Sequence, residues 1–373
     1  MHVGLNLVFL VPGQTGGMEI AARALIPALR DAAPGLRFTA LVNSEAAGED
    51  FGIDSVVVPV AAARRVEWVR GEQQLLPSLA RRAGCALVHS LGSTAPARGR
   101  FVRVTTIHDL NYLMVPDAHF GLRGLGMRVL VPLAAHRSTR VIADSASTRR
   151  DLTERLRVPA EKIDVVPLGL GRPPEAVPTP PHELRARLAL GDRPLVLSLS
   201  AKRPHKNLRG LLDALACIPS ERRPVLVLPG YATPHEAELR DHAAAVGVAG
   251  DVRWLGWTSD EDVAGLLAIS DAFVFPSFYE GFGLPVLEAM AAGIPVACSD
   301  RSSLPEVAGD AALLFDPGAP ASIAAAIETL LTDRAAAGRL RAAGRRRAAR
   351  FTWERTAELT LAAYERALRG AAP

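Results

Sequence analysis

Two glutamates frame a glycine-rich run in the segment FYEGFGLPVLEAMAAG, residues 278–293. Glu280 precedes the run and Glu288 follows it. The residues between Glu280 and the following proline are Gly281, Phe282, Gly283 and Leu284. Pro285 suits the first position of a helix because the N–H that proline lacks would be unpaired there, and Gly293 suits a left-handed helix end. The spacing therefore predicts a short helix, with Glu280 in the loop before it and Glu288 near its first turn.

This arrangement suits a ligand that carries both phosphate and hydroxyl groups. Backbone N–H groups at a helix start bind phosphate, and in open α/β sheets ligands bind at that edge. Carboxylates accept hydrogen bonds from hydroxyls. We therefore expect a nucleotide sugar, with sugar hydroxyls at Glu280, pyrophosphate at the helix start and ribose hydroxyls at Glu288. Taken alone, the segment fits a plain strand-to-helix turn with one capping acid equally well.

Composition narrows the class of protein. The 373 residues are too many for one typical core, which predicts two domains. The formal net charge is only +4 and acidic residues are interleaved with the basic ones, which argues against a nucleic-acid partner. Cys85, Cys217 and Cys298 are far apart, which predicts free thiols in a reducing cytoplasm. We expect no membrane-spanning helix, because no apolar stretch is long enough.

Short β-branched runs alternate with helical patterns along most of the chain, which predicts parallel sheets covered by helices. Seven strand candidates extend from HVGLNLVFLV to KIDVVPLG, and six more from PLVLSLS to AALLF. The proline-rich segment 169–182 between the two sets predicts an extended linker. The predicted domains are 1–172 and 182–351, followed by an amphipathic helix in 352–373 that Thr352 caps.

Several segments together resemble one enzyme family. The Glu-x7-Glu spacing in PSFYEGFGLPVLEAMAAGIPVACSD, followed by SSLPEVAGDAALLFDP, resembles the retaining nucleotide-sugar glycosyltransferases of family four (group one), which have the GT-B fold. Further matching segments are TGGMEIAARAL, HDLNYL, ADSASTRRDL, KRPHKNLRGLLDAL and FTWERTAELTLAAYERAL. The resemblance implies an α/β architecture of two Rossmann-like domains facing a cleft. The acceptor would bind mainly to 1–172 and the donor to 182–351, and the helix in 352–373 would cross back onto the first domain.

The resemblance also implies roles for individual residues. Glu280 corresponds to the acid that holds the donor sugar, Glu288 to the acid that holds the ribose, and Lys206 to the lysine that neutralises the donor phosphates. The alternative for Lys206 is a helix-surface residue. Many relatives carry a Gly-Arg pair where this chain has Ser200 and Ala201.

A second phosphate-binding cation is therefore expected from Lys202 or Arg203. Arg203 ranks first because a guanidinium can contact a diphosphate in two places. Fixed cations have a physical purpose here, since negative charge develops on the leaving diphosphate as the glycosidic bond breaks.

Further positions in both domains belong to the predicted site. His108 and Asp109 follow an apolar strand of the first domain, and His108 resembles the family's active-site histidine, which contacts the donor sugar or places the acceptor. Asp109 would orient His108 or bind an acceptor hydroxyl. Gly16 and Gly17 would let the backbone approach the pyrophosphate.

Trp257 would flank the nucleotide base, or it would serve ordinary packing. A lone histidine is more often structural than catalytic, so a structural role is the alternative for His108.

The predicted reaction is retaining transfer of a hexose-like sugar from a nucleotide diphosphate to a hydroxyl acceptor. Retention is implied by the resemblance. No cofactor or metal is expected, because the chain has no Asp-x-Asp motif in a suitable loop. The alternatives are a GT-B epimerase or phosphorylase and a non-catalytic nucleotide-sugar-binding protein.

The arginine- and alanine-rich stretch 334–350 predicts either a solvated helix face or a peripheral contact with anionic lipid. The expected location is the cytoplasm, with the inner membrane face as the site of any such contact.

Overall fold

The computed structural model describes residues 1–115, 122–170 and 177–370. The chain folds into two compact units, one made of Met1–Gly171 with Phe351–Pro373 and the other of Arg172–Arg350. The middle of the predicted linker, residues 171–176, lies outside the described residues. So do residues 116–121.

The first unit contains a parallel sheet, built from seven strands in its described part, and all seven strands lie in the predicted runs. The strands are β1 His2–Leu7, β2 Arg37–Val42, β3 Asp54–Val57, β4 Leu87–Ser90, β5 Val102–Ile107, β6 Arg140–Ala143 and β7 Ile163–Val165. Their order in the sheet is β3-β2-β1-β4-β5-β6-β7. The near-continuous apolar runs of these strands are typical of parallel sheets that are buried on both faces.

Helices connect β1 to β2, β3 to β4, β5 to β6 and β6 to β7, as in doubly wound units. They are α1 Gly17–Ala32, α2 Arg65–Arg70, α3 Leu76–Arg82, α4 Asn111–Met114, α5 Leu122–Arg137 and α6 Ala146–Leu156. Between α2 and α3 the chain forms a π-helical turn, Gly71–Leu75.

The π-helical turn carries a buried acid that fixes the loop after β4. Glu72 is 1% exposed and accepts hydrogen bonds from Asn6 Nδ2 at 3.0 Å and Thr94 Oγ1 at 2.8 Å. Burial raises the pKa of Glu72. Asn6 lies in β1 and Thr94 lies in the loop after β4. Glu72 therefore links that loop to β1 by hydrogen bonds.

The second unit contains a second parallel sheet, with six strands in its described part, again in the predicted runs. The strands are β8 Leu195–Leu197, β9 Val225–Leu228, β10 Val252–Trp254, β11 Ala272–Phe275, β12 Val296–Ser299 and β13 Ala312–Phe315. Their order is β10-β9-β8-β11-β12-β13. The helices are α7 Pro181–Arg187, α8 Leu208–Cys217, α9 His235–Ala245, α10 Asp260–Ile269, α11 Leu284–Ala291, α12 Leu304–Ala308, α13 Pro320–Thr332 and α14 Arg334–Ala348.

The last helix, α15 (Trp353–Arg369), packs on the first unit, as predicted. Thr352 caps it by accepting a hydrogen bond from the Arg355 N–H at 3.2 Å. Its inner face inserts the fully buried Tyr364 next to α1 and the sheet, and the Tyr364 hydroxyl lies 2.7 Å from His89 Nδ1. This helix therefore completes the core of the first unit. Among the described residues, no helix has the length and apolar character needed to cross a bilayer.

We predict that Ala363→Leu destabilises the first unit while Glu365→Leu on the same helix does not. Ala363 is fully buried, so the larger side chain overpacks the core and lowers the free energy of unfolding by about 1–3 kcal/mol. Glu365 is exposed and pairs with Arg369 on the helix surface. Urea unfolding of both variants checks this. Equal stability of the two variants would contradict the packing of α15.

Candidate active site

The second sheet has one position where its strand order reverses. β8 pairs with β9 on one side and with β11 on the other. The loops after β8 and β11 therefore diverge at the carboxyl edge, and open α/β sheets bind ligands at such switch points. Lys206 lies in the segment after β8, and Glu280 lies in the loop after β11.

Lys206 and Glu280 form an ion pair at this switch point. Lys206 Nζ lies 2.6 Å from Glu280 Oε1, and the side chains are 17% and 12% exposed. The ammonium also lies 5.4 Å from the centroid of the Phe275 ring, within the range of a cation–π contact. The two residues, predicted from separate motifs, thus meet in one partly buried cluster.

Hydrogen bonds from neighbouring loops hold the Glu280 backbone in place. The Glu280 N–H donates to Ser302 Oγ at 2.9 Å, and Ser303 Oγ donates to the Glu280 carbonyl at 3.0 Å. The Phe278 N–H donates to the His205 carbonyl at 2.8 Å, next to Lys206. Hydrogen bonds therefore join the three loops after β8, β11 and β12 around the ion pair.

The helix predicted after Glu280 is confirmed as α11. Gly283 is its N-cap, with φ of 122°, a conformation that L side chains rarely adopt. Pro285 lies in the first turn, and Gly293 ends the helix in the left-handed region with φ of 75°. Glu288 is the fifth helical residue and is 7% exposed. Phosphate binding by the 281–284 backbone and ribose binding by Glu288 stay predictions.

The structure argues against Lys202 as a phosphate-binding cation. Its side chain is fully buried, and its ammonium donates to the backbone carbonyls of Gly230, at 2.5 Å, and Leu255. Burial lowers the pKa of Lys202 to about 8, although Glu236 lies 3.8 Å away. The ammonium thus links the loops after β9 and β10 by hydrogen bonds and is not accessible to a phosphate. The sequence does not reveal the burial of Lys202, because the direction of its side chain depends on carbonyl groups that other loops bring close to it.

Arg203 is half-buried, and its guanidinium forms no hydrogen bond or ion pair with a described residue. It is therefore the better-placed of the two predicted cations. Its contact with a diphosphate stays a prediction.

Trp257 lies on the surface next to another aromatic residue. It is 66% exposed, and its ring centroid lies 4.9 Å from that of Tyr231 at an interplanar angle of 38°. Trp257 is therefore not a core residue, and its place beside the nucleotide base stays a prediction. Tyr231 follows β9 and Trp257 follows β10, so both lie at the carboxyl edge. Sequence reasoning did not single out Tyr231, although its place directly after a strand was a signal.

In the first unit, His108 follows β5, and each of its two ring nitrogens lies within hydrogen-bond distance of an oxygen of another residue. His108 Nδ1 lies 2.7 Å from Asp144 Oδ2, and Nε2 lies 2.8 Å from the Leu91 carbonyl oxygen. The prediction that Asp109 orients His108 is wrong, since the Asp109 carboxylate accepts bonds from the Asn111 N–H and Nδ2 at 2.9 and 2.8 Å. Asp144 was missed, although it directly follows the neighbouring strand in ADSASTRRDL.

The glycine pair lies at the start of α1. Gly16 is its N-cap with φ of 65°, and Gly17 is its first residue. A Cβ at either position would meet no atom within 4 Å, so the backbone there is open. Binding of pyrophosphate by this pair stays a prediction.

Two parallel sheets of Rossmann-like topology are the architecture of GT-B proteins. The family model described as "Glycosyl transferases group 1" matches residues 182–347, and "Glycosyltransferase Family 4" matches residues 15–170. The chain belongs to this glycosyltransferase family, whose members transfer sugar from a nucleotide-sugar donor.

Curated relatives agree with this assignment. O-antigen chain mannosyltransferase B from Escherichia coli is 34% identical over 70% of this chain and 70% of its own length. The MMP alpha-(1->4)-mannosyltransferase from Mycolicibacterium hassiacum is 34% identical over 60% of this chain, and the match covers 53% of that enzyme. The match to the serotype-specific mannosyltransferase WbdA from Escherichia coli covers 33% of that protein.

Solved structures confirm the fold. Sucrose-phosphate synthase from Thermosynechococcus elongatus superposes with a TM-score of 0.77 at 23% identity, over 100% of both chains. HepE from Anabaena, solved in complex with UDP-glucose, superposes with a TM-score of 0.74 at 22% identity, over 97% of this chain and 99% of its own.

We predict that the Lys206–Glu280 pair is energetically coupled. Lys206→Met or Glu280→Gln alone leaves a partly buried charge unpaired, which lowers the free energy of unfolding by about 1–3 kcal/mol. The double variant recovers at least about 1 kcal/mol of the summed loss. Denaturant unfolding of the four proteins measures this coupling. The exposed pair Arg301–Asp316 in the same unit serves as the control and couples by less than about 1 kcal/mol. Equal coupling in both pairs would contradict the buried geometry.

Proposed function

We propose that this protein is a retaining mannosyltransferase that uses a nucleoside-diphosphate mannose, with GDP-mannose as the first candidate, and that needs no metal. The relatives that carry mannosyltransferase names support the choice of sugar. A further relative, from Mycobacterium tuberculosis, is named as GDP-mannose-dependent and is 32% identical over 66% of this chain. The acceptor we propose is a sugar hydroxyl of a growing glycan, in line with the O-antigen relative.

The observation that carries this proposal is the Lys206–Glu280 pair at the switch point of the second sheet. An ammonium neutralises a diphosphate, and a carboxylate accepts hydrogen bonds from sugar hydroxyls. Both groups are more than four-fifths buried, so water screens them little. A donor that bridges them presents its phosphates to Lys206 and its sugar to Glu280.

The chemical step breaks the bond between the anomeric carbon and the diphosphate oxygen. The acceptor oxygen bonds to the same face of that carbon, and its proton passes to the leaving phosphate oxygen. Negative charge grows on the diphosphate, where Lys206, Arg203 and the start of α11 stabilise it. Among the described residues, no group of three or more His, Cys, Asp or Glu side chains is arranged to hold a metal ion. Lys206 and Arg203 would supply the positive charge that a metal ion supplies in metal-dependent enzymes.

The two units have separate roles in this proposal. The second unit, which holds the ion pair and α11, would bind the donor, with the base near Tyr231 and Trp257. The first unit would bind the acceptor near His108 and Asp109. The named relatives are transferases, so an epimerase, a phosphorylase or a non-catalytic binding protein is not favoured.

A peripheral membrane contact is part of the proposal. Six exposed arginines lie on or beside α14, and none of them forms an ion pair with a described residue: Arg334, Arg339, Arg341, Arg345, Arg346 and Arg350. No acidic residue interrupts the stretch 334–350. This surface suits the anionic headgroups of a cytoplasmic leaflet.

A donor panel tests the function. GDP-mannose, UDP-glucose, ADP-glucose and dTDP-glucose are incubated with an α-mannoside probe acceptor, with and without EDTA, and the product is analysed by mass spectrometry and proton NMR. We expect transfer from GDP-mannose alone, unchanged by EDTA, with an α-linked product. Lys206→Ala lowers the rate by about 10²–10³-fold.

Arg209→Ala is the matched control, because Arg209 is an exposed cation three residues along the same segment. Its rate should stay within about twofold of the wild type, as for ordinary surface substitutions. Transfer from another donor would overturn the choice of sugar. Loss of activity in EDTA would overturn metal independence, and equal rates for both variants would remove Lys206 from the site.

A further inference from the structure

Three adjacent strands of the first sheet end at one histidine ring. His108 follows β5, Leu91 follows β4 and Asp144 follows β6, and these strands are neighbours in the sheet. Asp144 Oδ2 lies 2.7 Å from Nδ1, and the Leu91 carbonyl oxygen lies 2.8 Å from Nε2. The backbone of His108 is held as well, because its N–H donates to Ser93 Oγ at 3.3 Å.

The two acceptors determine where the ring carries its protons. A carbonyl oxygen only accepts, so Nε2 must carry a hydrogen, and an ionised carboxylate also only accepts, so Nδ1 must carry one. With Asp144 ionised, these two acceptors require His108 to be a doubly protonated imidazolium. Neither ring nitrogen keeps a lone pair, so the ring has no basic site with which to take a proton from an acceptor hydroxyl.

The surroundings favour the same state. Burial alone lowers the pKa of His108, but the charge and hydrogen bond of Asp144, the Leu91 carbonyl and the charge of Asp109 together raise it to about 9. His89 on β4 does not compete for the proton, since burial and the charge of His108 lower its pKa to about 3. His108 and Asp144 line a small cavity on the side of α1 and α15, and the other residues that line it are uncharged, among them Met18, Thr356 and Thr360.

Asp144 in turn depends on the ring. It is 2% exposed, and its second oxygen, Oδ1, is buried without a hydrogen-bond partner among the described residues. A buried carboxylate needs a nearby cation, and removal of one partner of such a pair is costly. The His108 imidazolium is such a cation, 2.7 Å from Asp144 Oδ2.

We propose that Asp144 is a positioning residue that holds the His108 ring as a fixed imidazolium at the carboxyl edge of the first sheet. The consequence for catalysis rests on the proposed function: His108 acts as a fixed charge and not as a general base. The proton content of the ring does not depend on that function.

The same pair makes the fold pH-dependent. The pKa of His108 is higher in the folded protein than the ordinary value of 6.5. The stabilisation is therefore fully present below about pH 6.5 and is lost as the pH rises through about 9.

Asp144→Asn tests the proposal. Asparagine Nδ2 can donate to an unprotonated Nδ1, so the ring can keep its place as the neutral tautomer with a hydrogen on Nε2. We expect wild-type turnover to stay level up to about pH 9. Turnover of the variant, relative to wild type, should fall roughly tenfold per pH unit above the ordinary histidine pKa of about 6.5.

Asp164→Asn is the matched control. Asp164 lies in β7 of the same sheet, is 10% exposed, and pairs with Arg140 at 2.6 Å. We expect this variant to melt at a lower temperature with an unchanged pH profile. A shift of the profile in both variants would overturn the specific role of Asp144.

Nitrogen-15 NMR of the His108 ring gives a readout that needs no activity. We expect both ring nitrogens of the wild type to stay protonated at pH 7.5, and the ring of Asp144→Asn to be neutral there. A neutral wild-type ring at pH 7.5, or a variant ring that stays protonated, overturns the proposal. If no donor is turned over, the proposed function fails, and these signals still decide the state of the ring.

Discussion

The parallel direction of the strands is the constraint on which this structure depends. Every strand of a parallel sheet ends at the same edge, so residues far apart in the chain meet there whenever they follow neighbouring strands. β8 and β11 are neighbours, which brings Lys206 and Glu280 together although 74 positions separate them. In the first sheet the same rule places Leu91 and Asp144 beside the His108 ring. The Lys206–Glu280 and His108–Asp144 pairs thus lie at the carboxyl edges of their sheets.

Each edge combines one cation with one carboxylate. Burial of a single charge is costly unless a partner compensates it, and both pairs are largely removed from water. The pairs differ in what surrounds them. The His108 ring is bound on both nitrogens, which makes it rigid. Lys206 has a flexible stem and several donors, so its ammonium can turn from Glu280 towards a phosphate. One pair is therefore suited to fix geometry and the other to exchange partners with a ligand.

The sequence alone predicts most of the architecture, because parallel strands are continuous apolar runs and helix ends carry recognisable residues. All thirteen strands of the described chain lie in predicted runs, and α11 begins and ends where Pro285 and Gly293 indicate. Side-chain direction is a different matter. Lys202 and Arg203 are adjacent and both basic, but two carbonyls draw the Lys202 ammonium inward. Asp144, and not the adjacent Asp109, reaches His108, because the strand order that decides it comes from the whole sheet.

Hydrogen exchange measured by mass spectrometry, with and without GDP-mannose, tests most directly the claim that the donor binds at the switch point of the second sheet. We expect slower exchange in residues 198–207 and 276–288, and unchanged exchange in α7, which packs on α10. The same experiment on Lys206→Ala should lose that protection. Turnover of the donor without protection of either segment would contradict the account.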